Sequence, residues 1–436
     1  MRSATPWPAP TADEPIRATV SLPGSKSETN RALVLAALAT GPSTIVGGLE
    51  ARDTQVMRGA LRALGVTIDE AGNRWRVTPP AEFASGGTVD CGLAGTVMRF
   101  VPAVAALADG PVAFDGDEQA YGRPMGVILQ ALTSLGARIA DSRTSLPFTL
   151  VGNPRLPGGV VQVDASASSQ FVSALLLAGA RYAEGVDIRH VGPPIPSQPH
   201  LDMTVAMLRQ RGVELDASQP DRWVVRPGPI APVDVEIEPD LSNAAPFLAA
   251  AAVTGGAVTV PDWPRLTHQP GHQLRLILAD FGAEVTREHG ALTVRGMDRL
   301  RGVDLDLHEA SELTPVVAAV AALAESTSHL RGVGHIRGHE TDRLAALESE
   351  LGALGVRVSQ TNDGLTIHPR LMHGGLWSTY ADHRMAQAGA LLGLVVPDIT
   401  IDDISVTSKT MPEFADLWAQ MITDSEAASA RGTSAP

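Results

Sequence analysis

An internal repeat constrains this chain more than any other feature. A stretch of helical character ending in Leu-Gly-Val or a near variant, followed by alternating strands, occurs five times. The copies are "ALRALGVTIDEAGNRWRVTPP", "ALTSLGARIADSRTSLPFTLVG", "MLRQRGVELDASQPDRWVVRPG", "ILADFGAEVTREHGALTVRG" and "ESELGALGVRVSQTNDGLTIHP". Their glycines, Gly65, Gly136, Gly212, Gly282 and Gly355, lie roughly 70 to 76 residues apart, the mark of a repeated supersecondary unit. Each glycine falls where a helix C-terminus favours a left-handed residue. Each following segment has two alternating runs around a polar turn, which predicts a hairpin. At that period a chain of 436 residues holds about six copies of one unit.

A second series interleaves with the first. The stretches at about 26–40, 95–108, 169–180, 243–254, 314–324 and 384–396 are rich in Ala, Leu and Val and nearly free of charge. Helices apolar on every side belong in a core rather than on a surface. Each is preceded by a polar cluster: "GSKSETNR", "CGLAGT", "SASSQ", "EPDLSN", "HEASELTP" and "YADHR". Strands alternating with helices give an α/β fold class, and the length exceeds what one core supports, so two domains are expected.

Composition excludes several functions. No apolar run reaches bilayer-spanning length, and "MRSATPWPAPTADEP" lacks the apolar core of a secretory signal, so no membrane association and a cytoplasmic location are expected. Cys91 is the one cysteine, which rules out an intrachain disulfide and reads as a small buried residue, not a nucleophile. A net charge of −14 disfavours nucleic acid as partner. A site for an anionic ligand must therefore be built locally, against the overall field. The histidines of "THQPGHQ" have no nearby acidic or Cys ligands for zinc and read as a surface loop. No metal or cofactor is expected. "GGLEARD" lacks the terminal Gly-Lys-Ser/Thr of a phosphate loop, and the chain from about 424, ending "SEAASARGTSAP", reads as a disordered tail.

Of 34 basic residues only Lys26 and Lys409 are lysine. In "LPGSKSETNRA" Ser25 is the predicted N-cap of a capping box with Glu28, which puts Lys26 and Ser27 in the first turn and Arg31 four residues after Ser27. A lysine there opposes the helix dipole. It becomes favourable where the ammonium and the free N–H groups together hold an anion.

The motifs "LPGSKSETNRALVLAALA", "AGTVMRF", "YGRPM", "SASSQFVSALLLA", "HETDRL", "ADHRMA" and "SKTMPEF" together resemble the 5-enolpyruvylshikimate-3-phosphate synthase family. The resemblance runs in order from about residue 15 to 420. It implies two similar domains, each of three βαβαββ units arranged as an inside-out α/β barrel with buried central helices. Carried over, residues 25–238 form one domain and residues 1–24 with 239–436 the other, with the active site in the cleft between them. The implied reaction transfers the enolpyruvyl group of phosphoenolpyruvate to the 5-hydroxyl of shikimate 3-phosphate. The enzyme is expected to be a monomer and to be inhibited by glyphosate.

The resemblance also assigns residues. Lys26 would contact both substrates. Ser27, Arg31, Ser168, Ser169, Gln170, Ser197 and His339 would bind shikimate 3-phosphate. Gly95, Thr96, Arg123, Gln170, Arg343, Arg384 and Lys409 would bind phosphoenolpyruvate, the arginines because their planar forks match carboxylate and phosphate. Glu312 would take the 5-hydroxyl proton, and it also lies in the shikimate 3-phosphate site. Glu340 and Lys26 are both candidates for protonating C3. Lys409 and His383 would neutralise charge on the departing phosphate. Asp53 is either a cleft residue or an N-cap. Leu93, Phe100, His335 and His339 depart from the family pattern. Two other readings are an enolpyruvyl transferase acting on a UDP-N-acetylhexosamine, whose Lys-Asn opening and loop cysteine are missing here, and a non-catalytic anion-binding protein.

Overall fold

The structure, a computed structural model, describes residues 6–432, with side chains as far as Ala427. The chain divides into two compact units: Gly24–Glu238, and the residues to Pro23 together with those from Pro239 onward.

Unit Gly24–Glu238 has three four-stranded sheets. In spatial order their strands are 235–236, 43–46, 74–78 and 67–71; then 88–90, 110–115, 148–152 and 138–139; then 159–163, 186–190, 222–225 and 215–216. In each sheet the first pair is parallel and the other two pairs are antiparallel. The hairpins predicted after Gly65, Gly136 and Gly212 form the antiparallel part. The helices are α1 (Lys26–Leu38), α2 (Arg52–Ala63), α3 (Gly95–Ala105), α4 (Gly126–Ser134), α5 (Gln170–Gly179) and α6 (Gln198–Gln210). α1, α3 and α5 pack on one another. Every residue of α3 is buried, as are Phe171–Gly179 of α5. At roughly 1.5–3 kcal/mol for each large apolar side chain buried, these three helices dominate the core.

The second unit repeats the plan. Two sheets have four strands, 17–19, 257–260, 291–295 and 284–288, then 304–306, 328–331, 365–368 and 357–360. Among the described residues the third has three: 375–377 and 399–401 in parallel, with Trp7–Pro8 antiparallel to Ile399–Ile401. The sixth repeat is thus incomplete, its antiparallel partner being an N-terminal strand. Its helices are α7 (Ala244–Thr254), α8 (Leu274–Asp280), α9 (Thr314–Ala322), α10 (Arg343–Ala353), α11 (His383–Gly393) and α12 (Phe414–Gly432). Here α7, α9 and α11 form the mutually packed centre, and α9 and α11 are buried throughout. In each unit three central helices form the buried core, while the other helices are only partly buried.

The five repeat glycines all have left-handed φ, from 73° at Gly212 to 109° at Gly136, directly after the helix cap. That conformation is disfavoured for any residue with a Cβ, which explains why the repeat was visible. Two expectations need correction. The tail from about 424 is not disordered as far as the structure describes it: α12 continues to Gly432. Buried Ser425 accepts from the Arg17 N–H and donates to the Pro15 carbonyl, and the alanines and glutamates around it are strong helix formers. Residues 433–436 lie outside the described residues. The "THQPGHQ" segment is only partly a surface loop: His268 is exposed, but Gln269, Pro270 and Gly271 are buried and His272 Nδ1 accepts from Trp263 Nε1. Among the described residues no helix is long and apolar enough to cross a membrane, and no group of three His, Cys, Asp or Glu could hold a metal ion. Cys91 is fully buried, and burial pushes its thiol up to about 12.

Candidate active site

Each unit gathers helix N-termini at one end. In Gly24–Glu238, α1 begins at Lys26, α3 at Gly95 and α5 at Gln170. Asn30 Nδ2 donates to Thr96 Oγ1 at 2.7 Å, joining the starts of α1 and α3. Arg31 joins α1 to α5 and α6: it donates to Thr204 Oγ1 (2.8 Å), Ser173 Oγ (3.3 Å) and the carbonyls of Ser27 (2.9 Å) and His200 (3.2 Å). It is 2% exposed, burial lowers its guanidinium to about 9, and it lies 5.3 Å above the Phe100 ring. Phe100 is therefore the floor beneath Arg31, and Arg31 acts as a brace between three helices.

Lys26 Nζ lies 3.6 Å from Asp53 Oδ2, and Asp53 is buried. Ser27 Oγ is 3.3 Å from His200 Nε2. Gly95 sits within a cluster of side-chain ends: a Cβ there would lie 3.1 Å from Arg99 Nη1, 3.3 Å from Arg123 Nη2 and 3.3 Å from Gln170 Oε1. Arg123 also donates to the Leu93 carbonyl at 3.2 Å. Ser168 Oγ accepts from Gln170 N–H, and Ser169 precedes α5 as its N-cap residue. Ser197, before α6, holds a left-handed φ of 56° although it is not glycine. Four helix starts, the Lys26 ammonium and the guanidiniums of Arg31, Arg99 and Arg123 thus belong to one unit, an arrangement suited to phosphate and carboxylate.

The capping box is only half present. Ser25 Oγ accepts from Glu28 N–H at 3.4 Å. The Glu28 carboxylate turns instead to the Glu238 N–H at 3.0 Å, while the Ser25 N–H donates to the Glu238 carbonyl. Burial raises the Glu28 carboxyl to about 7, opposed by that N–H and reinforced by the Glu238 charge.

The other unit gathers the starts of α7, α9, α10 and α11. Glu312, just ahead of α9, accepts from Ser242 Oγ at 3.1 Å. Glu340 accepts from Lys409 Nζ at 2.7 Å and Arg343 Nη2 at 3.0 Å. Arg343 also donates to both oxygens of fully buried Asp382, at 2.7 and 3.1 Å. Burial alone would depress the Arg343 guanidinium, but Asp382 and Glu340 outweigh it and raise it. Asp382 also accepts from the Arg384 N–H at 2.8 Å. The Arg384 side chain donates to the Ser242 carbonyl, Asn243 Oδ1 and Gln387 Oε1, and burial lowers its guanidinium. His383, the first residue of α11, is 3% exposed, its Nδ1 3.6 Å from Asp382.

The two histidines that depart from the family pattern, His335 and His339, form a chain of rings with His308. Centroids of His308 and His335 are 5.7 Å apart, and those of His335 and His339 5.9 Å. His335 Nε2 lies 2.8 Å from Ser311 Oγ, and burial with nearby His308 lowers its imidazole to about 4. His339 Nδ1 is 3.2 Å from Arg343 Nη1, which can only donate, so Nδ1 accepts.

The structure thus collects Lys26, Ser27, Arg31, Gly95, Thr96, Arg123, Ser168, Ser169, Gln170 and Ser197 on one unit, and Glu312, His339, Glu340, Arg343, His383, Arg384 and Lys409 on the other. Sequence reasoning missed Arg99 and Asp382. Arg99 is four residues after Gly95, hence on the same helix face, and donates back to the Gly95 carbonyl. Asp382 lies inside "ADHR" and is the N-cap of α11.

Known proteins resemble this chain in sequence and in fold. The family model for EPSP synthase (3-phosphoshikimate 1-carboxyvinyltransferase) matches residues 10–418. An EPSP synthase structure from Acinetobacter baumannii is 25% identical with a TM-score of 0.79, covering 95% of this chain and 97% of that one. A second structure from that organism gives 24% and 0.78 at the same coverage. The enolpyruvyl transferase NikO from Streptomyces tendae, 19% identical with a TM-score of 0.74 over 96% of this chain and 98% of that one, shares the fold. The chain belongs to the EPSP synthase (3-phosphoshikimate 1-carboxyvinyltransferase) family and is an enolpyruvyl transferase.

Proposed function

We propose that this enzyme transfers the enolpyruvyl group of phosphoenolpyruvate to the 5-hydroxyl of shikimate 3-phosphate, releasing phosphate through a tetrahedral intermediate. The observation that carries the reading is the placing of the two lysines. Each unit sets one of them among converging helix starts and against a carboxylate, Lys26 at Asp53 and Lys409 at Glu340. A pair of substrates that each bear a phosphate and a carboxylate suits two such cationic half-sites in a protein of net charge −14.

On this reading Ser27, Ser168, Ser169 and Ser197 hold the 3-phosphate with the helix starts of α1, α5 and α6, while Gln170 faces the ring. Arg31 contributes chiefly by bracing that end. Arg123, with Arg99 beside it, and Arg343 and Arg384 take phosphoenolpyruvate. Glu312, oriented by Ser242, accepts the 5-hydroxyl proton as that oxygen attacks C2. Glu340 and Lys26 are the two proton carriers for C3. Lys409 and His383 stabilise the departing phosphate. The enzyme is read as a cytoplasmic monomer that needs no cofactor.

The test is phosphate release by the purified protein with phosphoenolpyruvate and, in turn, shikimate 3-phosphate, shikimate and a UDP-N-acetylhexosamine. Turnover with shikimate 3-phosphate alone is expected. Turnover only with the nucleotide sugar would replace the acceptor, and binding of shikimate 3-phosphate without turnover would leave an anion-binding protein.

A further inference from the structure

The turn that delivers Asp382 is left-handed at two consecutive residues that are not glycine. Tyr380 has φ of 54° and Ala381 of 56°. Side chains with a Cβ visit this region rarely and as single residues, so two in a row persist only where the surroundings impose them. The imposing group is Glu350, which is 6% exposed. One of its carboxylate oxygens accepts from the Ser378 N–H at 2.8 Å and the other from Tyr380 Oη at 2.6 Å. Asp402 Oδ1 accepts from the Thr379 N–H at 2.9 Å, and the Asp382 N–H donates to the Thr379 carbonyl.

Glu350 stands on the same helix as Arg343, seven residues and thus two turns further along, so both face one side of α10. A closed loop of contacts results: Arg343 to Asp382, along the strained turn to Tyr380, and through Glu350 back to α10. Asp402 and the Thr379 carbonyl hold the middle of the turn, while Glu350 holds both Ser378 and the Tyr380 side chain and is the restraint that ties the turn to α10.

We propose that Glu350 is a positioning residue for the reaction: by clamping the left-handed turn at Tyr380–Ala381 it fixes Asp382, and through Asp382 the guanidinium of Arg343 and the first turn of α11. This rests on the reading in which Arg343 and Arg384 hold phosphoenolpyruvate.

The experiment compares wild type with Glu350→Ala, Glu350→Gln and Ala381→Gly. Glu350→Ala is expected to raise KM for phosphoenolpyruvate about tenfold or more, since ångström-scale misplacement of a binding group has effects of this order. Its affinity for shikimate 3-phosphate, measured by calorimetry, stays within about twofold. Glu350→Gln restores most of the loss, because its amide oxygen accepts from the Ser378 N–H while its NH2 donates to the Tyr380 hydroxyl. Ala381→Gly releases the strain and raises the melting temperature by about 1–2 °C. Equal loss of affinity for both substrates, or a lowered melting temperature with unchanged KM, would overturn the proposal. If wild type releases no phosphate from these substrates, the functional reading fails on its own. The clamp is then judged on inorganic phosphate binding: weaker in Glu350→Ala and retained in Glu350→Gln supports it, and equal affinity in both overturns it.

Discussion

Lys409 and Arg343 divide the Glu340 carboxylate between them, one oxygen at 2.7 Å from the ammonium and the other at 3.0 Å from the guanidinium. Lys26 stands in the same relation to Asp53, at 3.6 Å. An arginine could equally balance a neighbouring acid, and 32 of the 34 Lys and Arg positions of this chain are arginine. On the proposed reading a compact ammonium is needed where an acid and a ligand approach one point from different directions.

Lys26→Arg is therefore expected to lower turnover by about a hundredfold or more, the usual cost of one preorganised donor, while circular dichroism and melting temperature stay near wild type. Near wild-type turnover in the purified variant would refute the point-charge role.

Glu312→Gln keeps an acceptor for Ser242 Oγ but cannot take a proton. We expect kcat to fall by about 10²–10⁴ with shikimate 3-phosphate affinity changed far less, as calorimetry against steady-state kinetics will read. A parallel collapse of affinity would make Glu312 a binding residue.

Glu28 gives a pH prediction. Burial raises its carboxyl from the ordinary 4.5 to about 7, so between those values the folded chain holds a proton that the unfolded chain has lost. Stability from this group is fully present below pH 4.5 and falls as pH rises through 7, by roughly 3 kcal/mol. Glu28→Gln removes that slope and gains stability above pH 7 relative to wild type. Urea unfolding from pH 5 to 8 measures it, and a difference between the two proteins that does not vary with pH would count against the burial effect.

How much was readable without coordinates follows from the kind of residue involved. The repeat was readable because left-handed helix ends select glycine, as at Gly65 and Gly355, and because helices apolar all round, such as α3 and α9, have nowhere to go but a core. The incomplete sixth sheet was not, since its antiparallel strand is two residues, Trp7–Pro8, far off in sequence. The α12 extension was missed because small polar residues resemble a tail until Ser425 is seen to hold the Pro15–Arg17 backbone. Glu350 left no local sign at all: its role exists only through a turn 28 residues away.

On the proposed reading Gly95 is expected to decide the response to glyphosate. That inhibitor is expected to occupy the phosphoenolpyruvate site beside shikimate 3-phosphate, and it is longer than phosphoenolpyruvate. Helix α3 spans Gly95 to Ala105 with Pro102 in its second half, and Phe100 lies beneath Arg31, so its first turn is intact and wild type should be sensitive, with inhibition competitive against phosphoenolpyruvate. A methyl at Gly95 would meet Arg99, Arg123 and Gln170 at 3.1 to 3.3 Å. These are ends of flexible side chains, which can yield by a few tenths of an ångström, so the fold tolerates Gly95→Ala. The same methyl would narrow the space that the longer inhibitor needs and push on Arg123, which on the proposed reading holds phosphoenolpyruvate. Resistance is thus expected together with a raised KM for phosphoenolpyruvate, about two- to tenfold, as a displaced guanidinium weakens ground-state binding. An inhibition series on both proteins reads the two effects at once. Wild type that ignores millimolar-scale glyphosate, or an alanine variant that gains no resistance, would show that Gly95 does not line the inhibitor's site.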